Sequence, residues 1–556
     1  MLQKLFSLLS ASVGLCLPLL AATVIQATVL QANDRPNILF VFADDWGRYA
    51  SAYGRLEPGT INDAVLTPNF DRLAASGVLL THAFVNSPSC TPCRSSLLSG
   101  QHFWRTGRGA ILQGAVWDTQ IPTFPLMLES SGYHIGHTSK VWSPGSPANA
   151  PIGAQRTAVK PAPANFNNFS EYVHAAPAPE AAKSKLLAEV ASNFRTFLNA
   201  TDKDRPFLYW WGPTNTHRTW VRGSGQKLWN IHPDSLKGKL PRHFPDVPAV
   251  REDVADYLGE VQALDAGLGS LLQVLEESGQ KNNTMVIVSG DHGIPGMPAG
   301  KCNLYDLGTR VSLAISWPDH IPANRVIEDF VSLPDLAPTI LDAAGIETPQ
   351  VMTGKSLLAI LKSSATGQLD PQRDHVLIGR ERHVARARAD LLPYPQRAIR
   401  TRDFLYIHNF APDRWPMGIA PGFGLPPGPM PSHEQLESST FAAFADMDAS
   451  PTRTWLIENA VDNPAYRPYF NRAFAQRPAE ELYDLKKDPD QWTNVASDPA
   501  YADIRTSLSL RLMDLLKSTN DPRVTSTPSA FDLPPYSADP DVAAETKNKS
   551  GRNAPK

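Results

Sequence analysis

Cysteine is scarce in this chain, and neither sign of charge is in strong excess. The 556 residues include 4 cysteines, at Cys16, Cys90, Cys93 and Cys302, and the formal net charge is −3 at pH 7. A balance so close to neutral argues against a general nucleic-acid binder, which needs a basic surface. Cys16 lies in an N-terminal segment that we expect to be removed. The remaining odd number of cysteines does not fit a disulfide scaffold.

Long apolar runs are absent beyond the N-terminus. The one run long enough to cross a bilayer is Leu5–Leu30, which follows Lys4 and precedes small residues. This is the pattern of a cleaved secretory signal, so residues 1–32 are predicted to be a signal peptide. A retained membrane anchor is the alternative, which Pro18 disfavours. We therefore expect a secreted or periplasmic protein without stable membrane insertion after signal removal.

Short apolar runs that end in polar residues recur in the first part of the chain. "NILFVFADD", "FLYWWGPTNTH" and "MVIVSGDH" each predict a buried strand, and residues 254–279 have apolar residues at helical spacing. Alternating strands and helices predict an α/β domain over residues 33–365, with a large, mostly parallel sheet sandwiched by helices. Ligands of such sheets bind at the carboxyl ends of the strands.

The pattern changes after residue 365. Short strands and turns predict a smaller α+β subdomain over residues 366–520. Residues 521–556 are rich in proline and then in polar residues, so we expect a flexible tail there.

Acidic residues follow two of the predicted strands. Asp44 and Asp45 are adjacent, and two such carboxylates repel each other unless a cation lies between them. Asp291 and His292 form a second cluster after a later strand. Carboxylates favour calcium or magnesium, whereas His292 is more usual for a transition metal. Each cluster taken alone could equally be a polar strand end.

The stretch "SPSCTPCRSSLLSG" places Cys90 and Cys93 two residues apart, directly before Arg94. A redox pair would need a thioredoxin-like surrounding, which the sequence does not show. A zinc site would need a second pair of ligands, which Cys302 alone does not supply. A third interpretation comes from a family resemblance.

"CTPCR" followed by "SSLLSG" resembles the signature of the sulfatase family: a cysteine, any residue, a proline, a small residue and an arginine. In that family the cysteine is oxidised to formylglycine, an aldehyde, by a formylglycine-generating or equivalent maturation enzyme. Cys93 stands where serine is usual, a mild departure. Other segments are similar in the same order: "RPNILFVFADDWG", "SGYHIGHTSK", "PFLYWWGPTNTH", "VIVSGDHG", "GKCNLYDLGTRV" and "ELYDLKKDPDQWTNVA".

The resemblance implies an alkaline phosphatase/sulfatase-like fold and a role for each matched residue. It implies a calcium ion held by Asp44, Asp45, Asp291, His292 and the modified Cys90. It also implies that Arg94, Lys140 and Lys301 offset charge on the sulfuryl oxygens. His217, with Lys301, would protonate the leaving oxygen. A serine nucleophile would be trapped as a sulfate ester, whereas the hydrated aldehyde can release sulfate.

One departure from the family pattern concerns the segment after Lys140. The family commonly has a histidine two or three residues later, which bonds to the formylglycine hydroxyl. This sequence has Trp142 and Ser143 there. The sequence does not show which residue replaces that histidine.

The segment after residue 378 bears on the substrate. "GRERHVARARADLLPYPQRAIRTRDFLYIHNF" is rich in arginine and aromatic residues, which suits a sulfated sugar, and it resembles the matching region of heparan N-sulfatases (sulfamidases) and bacterial relatives. Arg382, His383 and Tyr394 are the predicted sugar contacts, with packing as the alternative role. Both O-sulfate and N-sulfate remain open.

Two other functions remain possible from the sequence. A phosphomonoesterase or phosphonate hydrolase of the same superfamily is one, although such phosphatases usually carry serine or threonine and two zinc ions. A calcium-stabilised carbohydrate-binding homologue without activity is the other.

Overall fold

The computed structural model describes residues 35–153, 164–202, 204–423 and 428–540. The predicted signal peptide, residues 1–32, lies outside the described residues, and secretion stays a prediction. Among the described helices, none combines the length and apolar character needed to cross a bilayer.

The described residues contain strands throughout both halves of the chain. The strands are β1 Asn37–Ala43, β2 Val78–Leu80, β3 Ala83–Phe84, β4 His134–Ser139, β5 Phe207–Gly212, β6 Thr284–Gly290, β7 Leu313–Ser316, β8 Arg325–Ile327, β9 Val331–Ser332, β10 His375–Arg380, β11 Gln396–Thr401, β12 Phe404–Asn409 and β13 Glu480–Asp484.

Helices connect most of these strands. They are α1 Ser51–Leu56, α2 Pro68–Ala75, α3 Cys90–Ser99, α4 Phe124–Ser130, α5 Phe169–His174, α6 Pro179–Asn199, α7 Ser224–Trp229, α8 Pro248–Glu277, α9 Asp306–Thr309, α10 Leu336–Ala343, α11 Leu358–Lys362, α12 His433–Ser438, α13 Pro451–Asn459, α14 Arg467–Phe474, α15 Ala502–Ser518 and α16 Pro522–Thr525.

A 7-stranded sheet in the order β4-β5-β1-β6-β7-β2-β8 forms the centre of the larger part. The strands β4, β5, β1 and β6 pair in parallel. The strand β7 runs antiparallel to both of its neighbours, β6 and β2. The prediction of a large, mostly parallel sheet is confirmed.

Both faces of this sheet are covered, as the continuous apolar runs predict. Side chains alternate along β1, so Leu39 and Val41 pack on one face with α6 and α8, and Ile38 and Phe40 pack on the other with α3, α4 and α10. The long helix α8 has buried residues at spacings of three and four, which keeps one stripe against the sheet. Its stripe consists of Val250, Val254, Tyr257, Val261, Leu264, Leu268, Leu271 and Leu275.

The second, smaller sheet has 4 antiparallel strands in the order β10-β11-β12-β13. The helix α15 packs against it through Leu508, Leu512 and Leu516. A smaller α+β part in the C-terminal half is therefore confirmed. The exact boundary at residue 365 stays a prediction.

The expectation of a flexible tail from residue 521 does not fit residues 521–540. Asp521 is fully buried, and its carboxylate pairs with the buried guanidinium of Arg397. Arg523 pairs with Glu381, at 2.6 Å. A proline-rich composition suggested mobility, but these buried ion pairs hold the segment on the second sheet. Residues 541–556 lie outside the described residues.

We expect Trp210→Ala to lower the free energy of unfolding by about 3–5 kcal/mol, because it leaves a large cavity in the core. Trp210 has no exposed surface and stacks on Phe40 with ring centroids 4.5 Å apart. Urea denaturation measures the change. Leu66→Ala is the control, since Leu66 is 66% exposed, and should change stability by at most about 0.5 kcal/mol. Equal effects of the two substitutions would contradict this packing.

Candidate active site

The polar residues predicted to meet at the sheet edge do so because of strand order. Since β4, β5, β1 and β6 are parallel neighbours, their carboxyl ends share one edge. Asp44 and Asp45 follow β1, Asp291 and His292 follow β6, and Lys140 follows β4.

Two glycines allow the loops at this edge to approach each other closely. A Cβ on Gly212 would lie 1.8 Å from the Lys140 carbonyl oxygen, and one on Gly290 would lie 1.9 Å from that of Trp46. Any larger residue would displace these main-chain segments. Glycine therefore allows the end of β5 to approach Lys140 and the end of β6 to approach Trp46.

Cys90 is the first residue of α3, a helix in which every residue is buried. Its Sγ lies 3.4 Å from Nε2 of His292 and 3.9 Å from Oδ1 of Asp45. Burial, followed by the charge of Asp44, raises the pKa of the Cys90 thiol well above its ordinary value. Unmodified, this side chain is a protonated thiol, which is a poor nucleophile.

Arg94 follows Cys90 by one helical turn, which places both side chains on the same face of α3. The Arg94 guanidinium has no exposed surface and lies between two carboxylates, 2.9 Å from Asp291 and 3.1 Å from Asp44. It also donates to the carbonyl oxygens of Lys140 and Val141, both at 3.2 Å. Arg94 thus joins three of the converging segments.

Two lysines complete the charge balance. Lys140 Nζ donates to both oxygens of Asp44, at 2.7 and 2.8 Å. Lys301 Nζ lies 3.0 Å from Oδ2 of Asp45 and 3.1 Å from Oδ2 of Asp448. It is also 3.4 Å from Nε2 of His217. Each of these carboxylates therefore has a nearby cation.

The pKa values follow from burial and these charges. Burial would raise the pKa of Asp44, but Lys140 and Arg94 hold it well below its ordinary value. Burial does raise the pKa of Asp291, despite His292 and Arg94. Burial would lower the pKa of Lys301, but Asp448 and Asp45 raise it well above its ordinary value. Lys301 is therefore a permanent cation at neutral pH.

Main-chain contacts orient the two histidines. The Nδ1 atom of His292 lies 3.2 Å from the Gly293 carbonyl oxygen, and that of His217 lies 2.6 Å from the Arg218 carbonyl oxygen. Because a carbonyl only accepts, both Nδ1 atoms carry the proton in the neutral rings. The Nε2 lone pairs then point into the site, which is the arrangement of a histidine ligand or base.

The donor atoms fit a divalent cation. Three overlapping groups have ligand atoms that all lie within 4.8 Å of one another: Asp45, Cys90 and His292; Asp44, Cys90 and Asp291; and Asp44, Asp45 and His217. Three of the six residues supply carboxylate oxygens, which suit a hard cation such as calcium. His217, predicted as a catalytic residue, is thus within reach of the same carboxylates.

A comparison with known families agrees with this site. The family model described as Sulfatase matches residues 36–346, more than half of the 556-residue chain.

The chain belongs to the sulfatase family.

A second model, described as the C-terminal region of N-sulphoglucosamine sulphohydrolase, matches residues 297–416 of this sulfatase. N-sulphoglucosamine sulphohydrolase of Homo sapiens is 28% identical over 540 residues, covering 91% of this chain and 95% of the human protein. An ulvan-active sulfatase of Formosa agariphila is 24% identical over 575 residues, covering 94% of this chain and 83% of the relative.

Solved structures share the fold. A structure described as a complex with D-glucosamine-2-N,6-O-disulfate has a TM-score of 0.59 at 18% identity, covering 88% of this chain and 98% of that one. The phosphonate monoester hydrolase of Agrobacterium radiobacter has a TM-score of 0.57 at 19% identity, covering 87% and 96%. At these identities the likeness shows the fold alone, so the alkaline phosphatase/sulfatase-like fold is confirmed.

The predicted sugar contacts lie in different places in this sulfatase. His383 is brought to the site: its Nδ1 is 2.8 Å from Oγ of Ser89, the residue before Cys90. Arg382 is 2% exposed, and it donates to the carbonyl oxygens of Gln113 and Ala538, both at 2.8 Å. Tyr394 has no exposed surface. Arg382 and Tyr394 are thus buried, and their role as sugar contacts stays a prediction.

Where the family has its histidine, this chain has Trp142, a core residue. Trp142 is fully buried, its Nε1 donates to Oγ of Ser95 at 2.8 Å, and its ring packs edge-on against Trp117. Trp142 therefore packs in the core and binds α3 through Ser95. It does not supply the bond that the family histidine makes.

Sequence reasoning missed two acids in the segment before α13. Asp448 contacts Lys301, and Asp446 pairs with Arg380 and Arg388. The motif "DMD" before "ASPT" is a weak signal for them. Their contacts are far away in sequence, so only the tertiary structure brings them to the site.

We expect Arg94→Met to lower the free energy of unfolding of the metal-free protein by about 3–5 kcal/mol, because Asp44 and Asp291 would lose a buried partner. Chemical denaturation in the presence of a chelator measures this. Arg195→Met is the control, because Arg195 pairs with Glu277 while 48% exposed, and should cost about 1 kcal/mol or less. A stable Arg94→Met protein would contradict the proposed charge balance.

Proposed function

We propose that this sulfatase removes sulfate from a sulfated carbohydrate, with Cys90 converted to formylglycine beside a bound calcium ion. The observation that carries this proposal is the position of Cys90, 3.4 Å from His292 and 3.9 Å from Asp45 in a buried group of carboxylates and cations. The names of the relatives support a sugar substrate, since they act on N-sulphoglucosamine and ulvan.

When present, the hydrated formylglycine supplies a hydroxyl nucleophile, and the calcium ion supplies positive charge next to it. Asp44, Asp45, Asp291 and His292 would hold that ion. The sequence and the donor atoms both fit this arrangement. The chain's own residues perform the remaining tasks.

Cations bind and orient the sulfate group. Arg94, Lys140 and Lys301 surround Cys90 from three segments and offset charge on the sulfuryl oxygens, as preorganised cations do in phosphoryl transfer. Arg94 and Lys301 are buried, so their charges act with little screening.

His217 is the residue that protonates the leaving atom. Its side chain is 35% exposed, the most of any residue in the candidate site that contacts Asp45 or Lys301. Its Nδ1 proton bonds to the main chain, so Nε2 is the atom that carries or releases the catalytic proton. Lys301 Nζ lies 3.4 Å from this Nε2 atom.

The first bond to test is an N-sulfate of glucosamine. The match to the C-terminal model over residues 297–416 and the 28% identity to the human N-sulphoglucosamine sulphohydrolase support this choice. O-sulfated sugars form the second group of substrates for the same assay, because the cations at the site contact only the sulfuryl group.

We expect Cys90→Ala to lower sulfate release by at least ~10³-fold, because the nucleophile is lost. In a host with a maturation enzyme, the wild-type peptide that contains Cys90 should show the mass change of thiol to aldehyde. Cys93→Ala is the matched control on the same helix and should keep both the mass change and the activity. Full activity with an unmodified Cys90 would contradict the proposal.

Calcium should raise the melting temperature of the protein, because a ligand that binds only the folded state stabilises it. At a free calcium concentration about 100 times Kd, the expected gain is about 2.7 kcal/mol. Thermal unfolding with calcium, magnesium or zinc, each after chelation, identifies the metal. Asp45→Asn should remove the gain, whereas Asp403→Asn, on the surface, should keep it. A larger gain from zinc would contradict the choice of calcium.

A further inference from the structure

Asp448 lies at the entrance of the site, which we define as the exposed parts of Lys140, His217 and Asp448. These side chains are 11%, 35% and 15% exposed. Arg94 and Lys301, in contrast, are 0% and 3% exposed. A substrate whose sulfate group reaches the buried cations must therefore place its remaining atoms against the entrance.

The contacts of Lys301 place Asp448 next to His217. The Lys301 ammonium has three N–H donors, and it has three neighbours: Asp45 at 3.0 Å, Asp448 at 3.1 Å and His217 at 3.4 Å. Asp448 Oδ2, the atom that faces Lys301, is buried. The exposure of Asp448 thus belongs to the rest of its side chain, which is the part that we include in the entrance.

The segment that carries Asp448 is fixed from both sides. The Arg453 guanidinium donates to the carbonyl oxygens of five residues: Leu436, Ser439, Thr440, Ala443 and Met447. Asp446 accepts from the main-chain N–H of Val384 at 2.8 Å and pairs with Arg380 and Arg388. Such supports hold a side chain in one position before a ligand binds.

The same segment is tied to the loop that carries Lys301. Ser450 Oγ donates to the Gly296 carbonyl oxygen at 2.7 Å and accepts from the main-chain N–H of Arg453 at 2.8 Å. Ser450 therefore connects the segment that carries Asp448 to the loop that leads to Lys301. A carboxylate held this firmly at an entrance is a fixed negative charge.

We infer that Asp448 is a specificity-determining residue that favours a sulfated sugar with a hydroxyl or ammonium group on the atom next to the scissile bond, and disfavours a second anionic group there. The inference rests on the proposed function, because the sulfate group must bind the buried cations. His217 meets the leaving atom, so the neighbouring substituent of the sugar meets Asp448.

Charge decides the direction of this selection. A hydroxyl or ammonium group donates a hydrogen bond to the carboxylate, whereas a second sulfate or a carboxylate would lie against a like charge in a poorly solvated site. Specificity then comes from rejection of the wrong substrate as well as from attraction of the right one. Lys140, also at the entrance, binds both oxygens of Asp44, and the proposed function assigns its charge to the sulfuryl group and not to the neighbouring substituent.

The test compares kcat/KM for two pairs of probes. The sugar pair is D-glucosamine N-sulfate and D-glucosamine N,3-O-disulfate, with release of the N-sulfate measured. The aryl pair, which does not depend on the sugar, is 2-(aminomethyl)phenyl sulfate and 2-carboxyphenyl sulfate. Differences in leaving-group chemistry cancel when a variant is compared with the wild type. The ratio of kcat/KM within each pair is the readout, because a purely structural role for Asp448 would lower both members alike.

The wild-type ratio should favour the less anionic member, and Asp448→Asn should reduce that preference by about tenfold, the effect of about 1.4 kcal/mol. Asp448→Glu keeps the charge and should keep the preference. Asp403→Asn, which removes the same charge from an exposed ion pair with Lys486, should leave the ratio unchanged.

Two results would overturn the inference. An unchanged ratio in Asp448→Asn, with the wild type active, would refute the role of Asp448 and leave the proposed function intact. Absence of sulfate release from every probe by wild-type protein with converted Cys90 would overturn the proposed function, and this inference with it. Circular dichroism spectra identify a misfolded Asp448→Asn protein, and in that event the ratio is taken from Asp448→Ser.

Discussion

Charge compensation at one edge of the large sheet is the constraint on which the site depends. Asp44, Asp45 and Asp291 are buried where parallel strands end, and each would be costly to bury alone. Arg94, Lys140 and Lys301 come from three other segments to pair with them. The same carboxylates that fix these cations are the candidate ligands of a metal ion. The proposed binding of a metal ion and of sulfate, and the stability of the edge, therefore depend on one set of charges.

The sequence predicted this edge well because its signals are local. A short apolar run followed by acids, as in β1 and β6, indicates a buried strand whose carboxyl end is polar. Once the sheet is parallel, Asp44 and Asp291 must meet. The antiparallel strand β7 does not affect this, since it lies beyond β6. The family resemblance added the roles of Cys90 and Lys140, which no pattern of apolar residues could supply.

The C-terminal half was harder to predict from sequence. Arginine and aromatic residues suit both a sugar site and a core, and composition cannot separate the two uses. The Arg380 and Arg388 guanidinium groups lie 5.6 and 5.9 Å from the ring centroid of Tyr394, whereas His383 lies beside Ser89. Asp448 gave almost no signal, because its partner Lys301 is distant in sequence. Tertiary contacts decided all three positions.

The segment 521–540 supplies partners to charged side chains that are buried at the second sheet. Asp521 neutralises Arg397, Arg523 pairs with Glu381, and the Ala538 carbonyl oxygen accepts from Arg382. During synthesis on the ribosome, these partners emerge after the strands of the second sheet, which end at Asp484. The large sheet can form from earlier residues, but the smaller sheet reaches its final packing only after residues 521–540 have been made. A chain that ends before residue 521 would leave Arg397 with one of its two buried carboxylate partners, Glu381.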